Sequence, residues 1–358
     1  MLRDECTSFF YLHEGQTPAD ELLALSDYAR QHDLTADCYG SGGPITAFEQ
    51  EIASLLGKKA AVFMPSGTMA QQIAMRLWSE RNKNNTFACH ATCHMEFNEY
   101  HAYQYLHDLK TCLLGNKSSL FQLNDLKKCS NDIACLLIEL PQRWIGGQLP
   151  SWDELVGICD YARSKKIALH LDGARLWECT EHYQKSLQEI AALFDSVYVS
   201  FYKTLGNISG AMLLGNSDFI DESRIWLRRH GGNLYQLYPY VISAQLKLQQ
   251  HLPRIPVYCK RAKEIAAVLN QFEEIKLTPD TPPTNMMHAH FDFTEQVLIA
   301  ARDTIAEKHK TWMCGKFHPS YNQGRYMEIF VGENLVAMSD EQIKQIMSDF
   351  IEHCHQCQ

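Results

Sequence analysis

The sequence predicts an α/β protein: a doubly wound, mostly parallel central sheet followed by a smaller α/β domain. Three observations carry this. Between residues 58 and 215, short apolar runs alternate with amphipathic helical patterns, as expected of parallel strands joined by crossover helices. The best of these runs, Ile133 to Leu140, is continuously apolar up to Glu139, which suits a strand covered on both faces. From about residue 274 the pattern changes to separated strands and one helix, closed by a final helix from Asp340. The expected organisation is an N-terminal segment (1–38), a large domain (39–250) and a small C-terminal domain (251–358).

Composition bounds the function. With 358 residues, 46% hydrophobic and 21% charged, the chain can bury a substantial core. A net charge of -9 and no basic stripe exclude a nucleic-acid partner from the expectation. No run approaches the length of a membrane span, and the opening Met-Leu-Arg-Asp-Glu lacks an apolar signal core. Thirteen cysteines in that setting read as free thiols in a reducing cytoplasm. The tail His353-Cys-His-Gln-Cys357 has ligand chemistry, but a terminus seldom preorganises a site, so no metal is expected.

In chain order, Thr17-Pro18 opens a helix over 19–31. Asp37-Cys-Tyr-Gly-Ser-Gly-Gly-Pro44 is a loop able to approach a ligand or another backbone closely, and equally a plain connector. A helix over 45–56 stops at Gly57. Ala60 to Met64 reads as a strand feeding Ser66-Gly67-Thr68 at the start of a helix. Free N–H groups, the helix dipole and two hydroxyls make that turn an anion site, although Ser66 serves equally well as an N-cap.

Thr86 to His90 is the next strand, and His94 then sits at a helix edge, where a planar ring is able to stack on a flat cofactor. The helix over 151–164 follows the loop from Pro141 to Pro150. Ile167 to Asp172 is a buried strand ending in Asp172-Gly-Ala-Arg175, an acid and a guanidinium at the sheet edge where open α/β folds bind ligands. An internal ion pair is the alternative reading. Val197 to Phe201 then delivers Lys203 into a Gly/Ser/Asn-rich turn. A desolvated lysine there forms Schiff bases with carbonyls, including pyridoxal phosphate; a solvated loop lysine is the plainer reading. Beyond Gly215, helical patterns run over 234–252 and 254–271, followed by strands near 275–277, 287–293 and 327–331 and a helix over 295–308.

Tyr39-Gly40, Pro65-Ser-Gly-Thr68, His94 with Glu99, Glu139, Leu171-Asp-Gly-Ala-Arg175 and Lys203-Thr-Leu-Gly206 occur in the order and spacing of the L-threonine aldolases. The chain resembles that family, part of the β-eliminating lyase branch of fold-type I (aspartate aminotransferase-like) enzymes that use pyridoxal 5'-phosphate. The resemblance is good over roughly 35–250 and loose beyond. It implies cleavage of a β-hydroxy-α-amino acid to glycine and an aldehyde through a Lys203 Schiff base. Asp172 would bond the pyridine nitrogen, and Ser66, Gly67 and Thr68, with Ser200 assisting, would hold the phosphate. His94 would stack on the ring and act in proton transfer. Arg175 would clamp the substrate carboxylate, with Gln142, Arg143 and Tyr39 lining the substrate site. Tyr39 would reach a neighbouring subunit's site, which implies a homodimer or homotetramer.

Two departures stand out. Gln142 occupies the place of the family's substrate-contacting histidine, and glutamine is no general base. Glu328 replaces the family's second carboxylate-binding arginine, with Arg325 three residues earlier. These changes leave open β-elimination, transaldol transfer or transamination on the same framework, or a non-catalytic cofactor-binding relative.

Overall fold

A computed structural model describes residues 2–13, 17–129, 132–321 and 324–357. Two compact units emerge. The larger comprises Gln16–Trp144 and Leu149–Pro253; the smaller comprises Met1–Gly15, Ile145–Gln148 and Arg254–Gln358. The segment expected as one N-terminal piece is thus divided between them.

The larger unit is built on a seven-stranded sheet. Its strands are β1 (Ala60–Met64), β2 (Thr86–His90), β3 (Lys110–Leu114), β4 (Cys135–Glu139), β5 (Ala168–Gly173), β6 (Ser196–Ser200) and β7 (Ala211–Gly215). They lie in the order β1-β7-β6-β5-β4-β2-β3. From β6 to β3 all pairs are parallel, while β7 runs antiparallel to both β6 and β1. Every residue of β4 to β7 is buried, which explains their uninterrupted apolar sequences. The edge strand β3 is half-exposed and carries no such run, so the sequence reading passes over it.

Helix α1 spans Pro18–Gln31, α2 spans Gly43–Leu55 and α3 spans Gly67–Asn82. The start of α2 lies two residues before the expected Ile45: Gly42, at φ +76°, turns the chain, and Pro44 is tolerated in the first turn. Gly57, at φ +64°, follows the end of α2 and releases the chain into β1. Phe201, fully buried, packs against Phe48 (ring centroids 5.1 Å apart) and Trp177 (6.1 Å) and so anchors the turn that bears Lys203.

The smaller unit carries an antiparallel sheet in the order His318–Pro319, Arg325–Phe330, Met286–Phe291, Lys276–Thr278. Residues of helices Ile255–Leu269, Glu295–His309 and Asp340–Gln356 pack on it around Phe291, Phe317 and Phe350. The C-terminal His/Cys stretch belongs largely to that last helix: Cys354 is buried, His353 bonds Thr304 (3.2 Å) and His355 bonds Glu274 (3.2 Å). The all-thiol expectation needs correction. Cys112 on β3 and Cys129 form a disulfide, brought together by topology with Cα atoms 6.8 Å apart. No helix among the described residues is long and apolar enough to cross a membrane.

Candidate active site

The site grows from the carboxyl ends of β4, β5 and β6. Parallel pairing puts Glu139 directly beside Asp172, so two buried carboxylates meet at one sheet edge. Asp172 Oδ1 accepts the Ala174 N–H (3.1 Å), turning the chain sharply so that Arg175 follows within three residues. Ser200 ends β6, and its hydroxyl donates to Ala174 O (3.0 Å). The residue expected beside a phosphate therefore braces the Asp172–Arg175 turn against the strand that leads to Lys203.

Lys203 is half-buried, and its amine is pushed down to about 8. Burial is the largest cause, Arg175 and Arg143 add to it, and Asp172 and Glu139 oppose it. Glu139 is displaced the other way: burial and the Asp172 charge raise it, while His94, Lys203 and the Arg143 N–H favour its ionised form.

Three donors converge on Glu139. They are the backbone N–H of His94 (3.3 Å), Gln142 Nε2 (3.2 Å) and the backbone N–H of Arg143 (3.2 Å). Gln142 Nε2 also lies 3.3 Å from Thr92 Oγ1. Its amide nitrogen thus holds Glu139 rather than standing ready for a substrate hydroxyl. The Arg143 guanidinium sits over the Trp144 ring, 4.8 Å from its centroid.

His94 opens the short helix His94–Phe97, and its Nδ1 lies 2.9 Å from Glu99 Oε1. Glu99 Oε2 accepts from Gln72 Nε2 (2.7 Å). With both Glu99 oxygens in contact with nitrogens, Nδ1 is the ring atom turned to Glu99 and Nε2 is the one left for a ligand.

At the start of α3, Ser66 accepts from the Met69 N–H (3.2 Å), which bears out its N-cap reading. That leaves the first-turn N–H groups of Gly67 and Thr68 at the positive end of a sixteen-residue helix. Gly67 is required there. A Cβ at that position would run into the hydroxyls of Tyr198 and Tyr202. Ser209 ties this turn down by donating to Pro65 O (2.6 Å). Tyr198, Tyr202 and Ser209 escaped sequence reasoning because only the fold returns residues 198–209 to residue 67.

Tyr39 lies apart from this cluster in its described contacts. Held at φ +49°, it is 53% exposed, its N–H donates to Tyr235 O (2.8 Å), and its ring meets Tyr235 edge-on at 5.3 Å. It lines a cavity of about 610 Å³ with Arg224, Arg228 and Asn233. In the smaller unit, Arg325 pairs with Glu295 (3.0 Å), and Glu328 lies between His288 (3.6 Å) and His318 (3.8 Å).

Comparison with known proteins adds an independent line. The family model described as β-eliminating lyase matches residues 19–292. Low-specificity L-threonine aldolase 1 of Arabidopsis thaliana is 26% identical over 273 residues, 71% of this chain and 74% of that protein. The crystal structure of a candidate L-allo-threonine aldolase from Listeria monocytogenes EGD-E superposes with a TM-score of 0.92 at 37% identity, covering 98% of both chains. A candidate aromatic amino acid β-eliminating lyase/threonine aldolase from Exiguobacterium sp. 255-15 gives 0.91 at 37% identity, covering 98% of this chain and 99% of that one. At 15% identity, Sphingomonas wittichii serine palmitoyltransferase shares the fold alone, with a TM-score of 0.71.

Proposed function

The chain belongs to the threonine aldolase/β-eliminating lyase family, and from that premise we propose that it cleaves a β-hydroxy-α-amino acid between Cα and Cβ, giving glycine and an aldehyde, with pyridoxal 5'-phosphate held at Lys203. The observation that carries this reading is the Lys203 amine, lowered to about 8 among Asp172, Glu139 and Arg175 at one sheet edge. The residues present fit the cofactor. Glycine at position 67 lets the Tyr198 and Tyr202 hydroxyls pack against this turn, and its helix start offers donors suited to a phosphate. Asp172 is a buried acceptor suited to a protonated pyridine nitrogen.

When bound, pyridoxal phosphate supplies the sink for the electron pair left on Cα as the Cα–Cβ bond breaks. The chain's own residues do the rest. Lys203 Nζ would hold the cofactor, the helix start at Gly67 and Thr68 would hold its phosphate, and Arg175 would receive the substrate carboxylate as a bidentate partner. His94 Nε2, its ring fixed by Glu99, takes the proton of the β-hydroxyl as Cβ becomes the aldehyde carbon. Glu139 keeps His94 in place through its backbone N–H, with Gln142 bracing that carboxylate.

A homodimer or homotetramer in which the Tyr39 loop serves a neighbouring subunit is part of the same proposal. Exposed Tyr39, Ile225 and Tyr235 support it. So is a cytoplasmic setting, which the eleven free cysteines favour and the Cys112–Cys129 disulfide opposes.

Incubating the purified, cofactor-loaded chain with β-hydroxy amino acids and measuring glycine, aldehyde, pyruvate and α-keto acids tests the reaction. Glycine with aldehyde is expected; pyruvate without glycine would replace aldol cleavage with β-elimination. Borohydride reduction followed by peptide mapping should place the cofactor on Lys203, and an adduct on another lysine would sink the assignment.

A further inference from the structure

His170 lies on β5 two residues before Asp172, fully buried and without a task in the proposed reaction. Both of its ring nitrogens are engaged. Nε2 is 2.7 Å from Gln71 Oε1 on α3, and Nδ1 is 2.7 Å from Oγ of Ser196, its register partner on β6. Trp78 Nε1, further along α3, donates to the same Ser196 oxygen (2.7 Å). An indole only donates and an amide oxygen only accepts, so His170 Nε2 carries the ring proton toward Gln71 and the Ser196 hydroxyl donates to Nδ1. Burial pushes the ring down to about 3, so this link keeps one protonation state throughout the neutral range.

Elsewhere α3 packs through apolar side chains: Ala70, Ile73, Ala74 and Leu77 share a core with Ala168 and Leu213. The polar link even leaves Gln71 Nε2 buried with no hydrogen-bond partner among the described residues. An apolar pair at positions 71 and 170 would hold helix to sheet at lower cost, so what the polar link adds is a fixed length and direction.

The link is level with the site. β7 is antiparallel to both β1 and β6, so β1 runs the same way as β5, and α3 leaves the end of β1 to run back along the sheet. Gln71 lies four residues, about 6 Å, along α3 from Gly67. His170 lies two residues, about 7 Å, back from Asp172 on the same face of β5. The Gly67–Thr68 turn therefore stands above one end of the link and Asp172 above the other.

We propose that His170 and Gln71 are positioning residues for the cofactor: their hydrogen bond sets the spacing between the helix start that takes the phosphate and the carboxylate that takes the pyridine nitrogen. A rigid ligand held at both ends binds tightly only where that spacing matches, because its second contact is then intramolecular. The inference rests on the proposed function, and the wild-type chain separates the two.

The test titrates the full cofactor-free chain with pyridoxal phosphate and, separately, with pyridoxal, which keeps the ring and aldehyde but lacks the phosphate. Wild type, Gln71→Met and His170→Phe are compared, with melting followed for each. Methionine keeps the length of glutamine and removes the acceptor. Gln71→Met should weaken pyridoxal phosphate about tenfold, the upper range for one hydrogen bond between neutral groups, and leave pyridoxal at its wild-type affinity. His170→Phe breaks the same bond from the strand side; it should shift the ratio of the two affinities in the same direction, and it carries the test if Gln71→Met does not fold.

Unchanged affinity for both ligands in the variants overturns the inference. An equal loss for both ligands also overturns it, since that marks a structural role. In the wild type, borohydride should fix pyridoxal phosphate to Lys203, and the phosphate should tighten binding over pyridoxal. A wild type that fails either check overturns the proposed cofactor site, and this inference with it. A wild type that passes both, beside unchanged variants, leaves that site standing and removes the inference alone.

Discussion

Glu99 holds the His94 ring at Nδ1 across 2.9 Å, and Gln72 holds the other Glu99 oxygen across 2.7 Å. This chain of contacts fixes the plane of the imidazole with Nδ1 turned to Glu99, leaving Nε2 for a ligand. Gln72 Nε2 only donates, so in Glu99→Gln the new amide N–H would face His94 Nδ1. The readiest relief is for His94 to carry its proton on Nε2. The expected result is a kcat lowered by about a hundredfold or more, the usual worth of a general base, with KM little changed. Steady-state kinetics on glycine release would check it, and an unchanged kcat would remove His94 from proton transfer.

Lys203 shares its lowered amine with one other lysine. Lys58 is also pushed down to about 8, chiefly by burial, and its Nζ donates to Phe194 O. At pH 8 roughly half of each amine is uncharged, against well under about 1% for an ordinary lysine near 10.4. An amine-acylating reagent used sparingly on the cofactor-free chain should therefore mark Lys203 and Lys58 ahead of the other lysines by peptide mass mapping. Added pyridoxal phosphate should protect Lys203 alone. Equal protection of both sites would mean that the cofactor stabilises the fold generally rather than occupying Lys203.

Acid stability should bear the mark of His107. This ring is buried against Trp226 (5.6 Å) and His230 (5.0 Å), and neither of its nitrogens has a hydrogen-bond partner among the described residues. Burial, with His230 and Arg76, pushes it down to about 4. An unfolded histidine protonates near 6.5, so unfolding takes up a proton between those values, and stability is lost as pH falls from about 6.5 to 4. His107→Phe removes that proton uptake and two unsatisfied polar atoms. Its melting temperature should fall less between pH 7 and pH 5 than that of the wild type. Parallel melting curves for the two proteins over that interval would contradict the assignment.

Much of the scaffold was legible because the central strands are buried on both faces. Ala60–Met64 and Thr86–His90 lie where their apolar runs predict them, and the helix over 151–164 begins one residue later, at Trp152, with Ser151 as its cap. The edge strand Lys110–Leu114 was not legible, since its half-exposed residues show neither a continuous nor an alternating pattern. In the site, Asp172, Arg175 and Lys203 stood out because strand ends advertise themselves. The pairing of Glu139 with Asp172 needs strand register, and the approach of Tyr198 and Tyr202 to Gly67 needs the whole sheet. Gln142 was visible as a departure from the family, but only its bonds to Glu139 and Thr92 show where its amide nitrogen is directed.

Asp172 is where the cofactor reading meets its plainest alternative, an internal ion pair at the end of a strand. The two readings predict different behaviour for Asp172→Asn. Asparagine keeps the size and an oxygen able to accept the Ala174 N–H, so the turn should survive. It loses the negative charge. If that charge keeps a pyridine nitrogen protonated, cleavage should slow by about 10²- to 10³-fold, comparable with removing one preorganised electrostatic partner from an active site. Cofactor content should stay close to wild type, because Lys203 and the Gly67–Thr68 turn remain. A second readout follows from register: the Asp172 charge helps to raise its neighbour Glu139, so the variant should let Glu139 ionise at lower pH. Following the pH dependence of glycine release alongside cofactor content resolves the two readings. Full activity in a variant that retains its cofactor would reduce Asp172 to a strand cap, and the electron-sink chemistry would then need another anion.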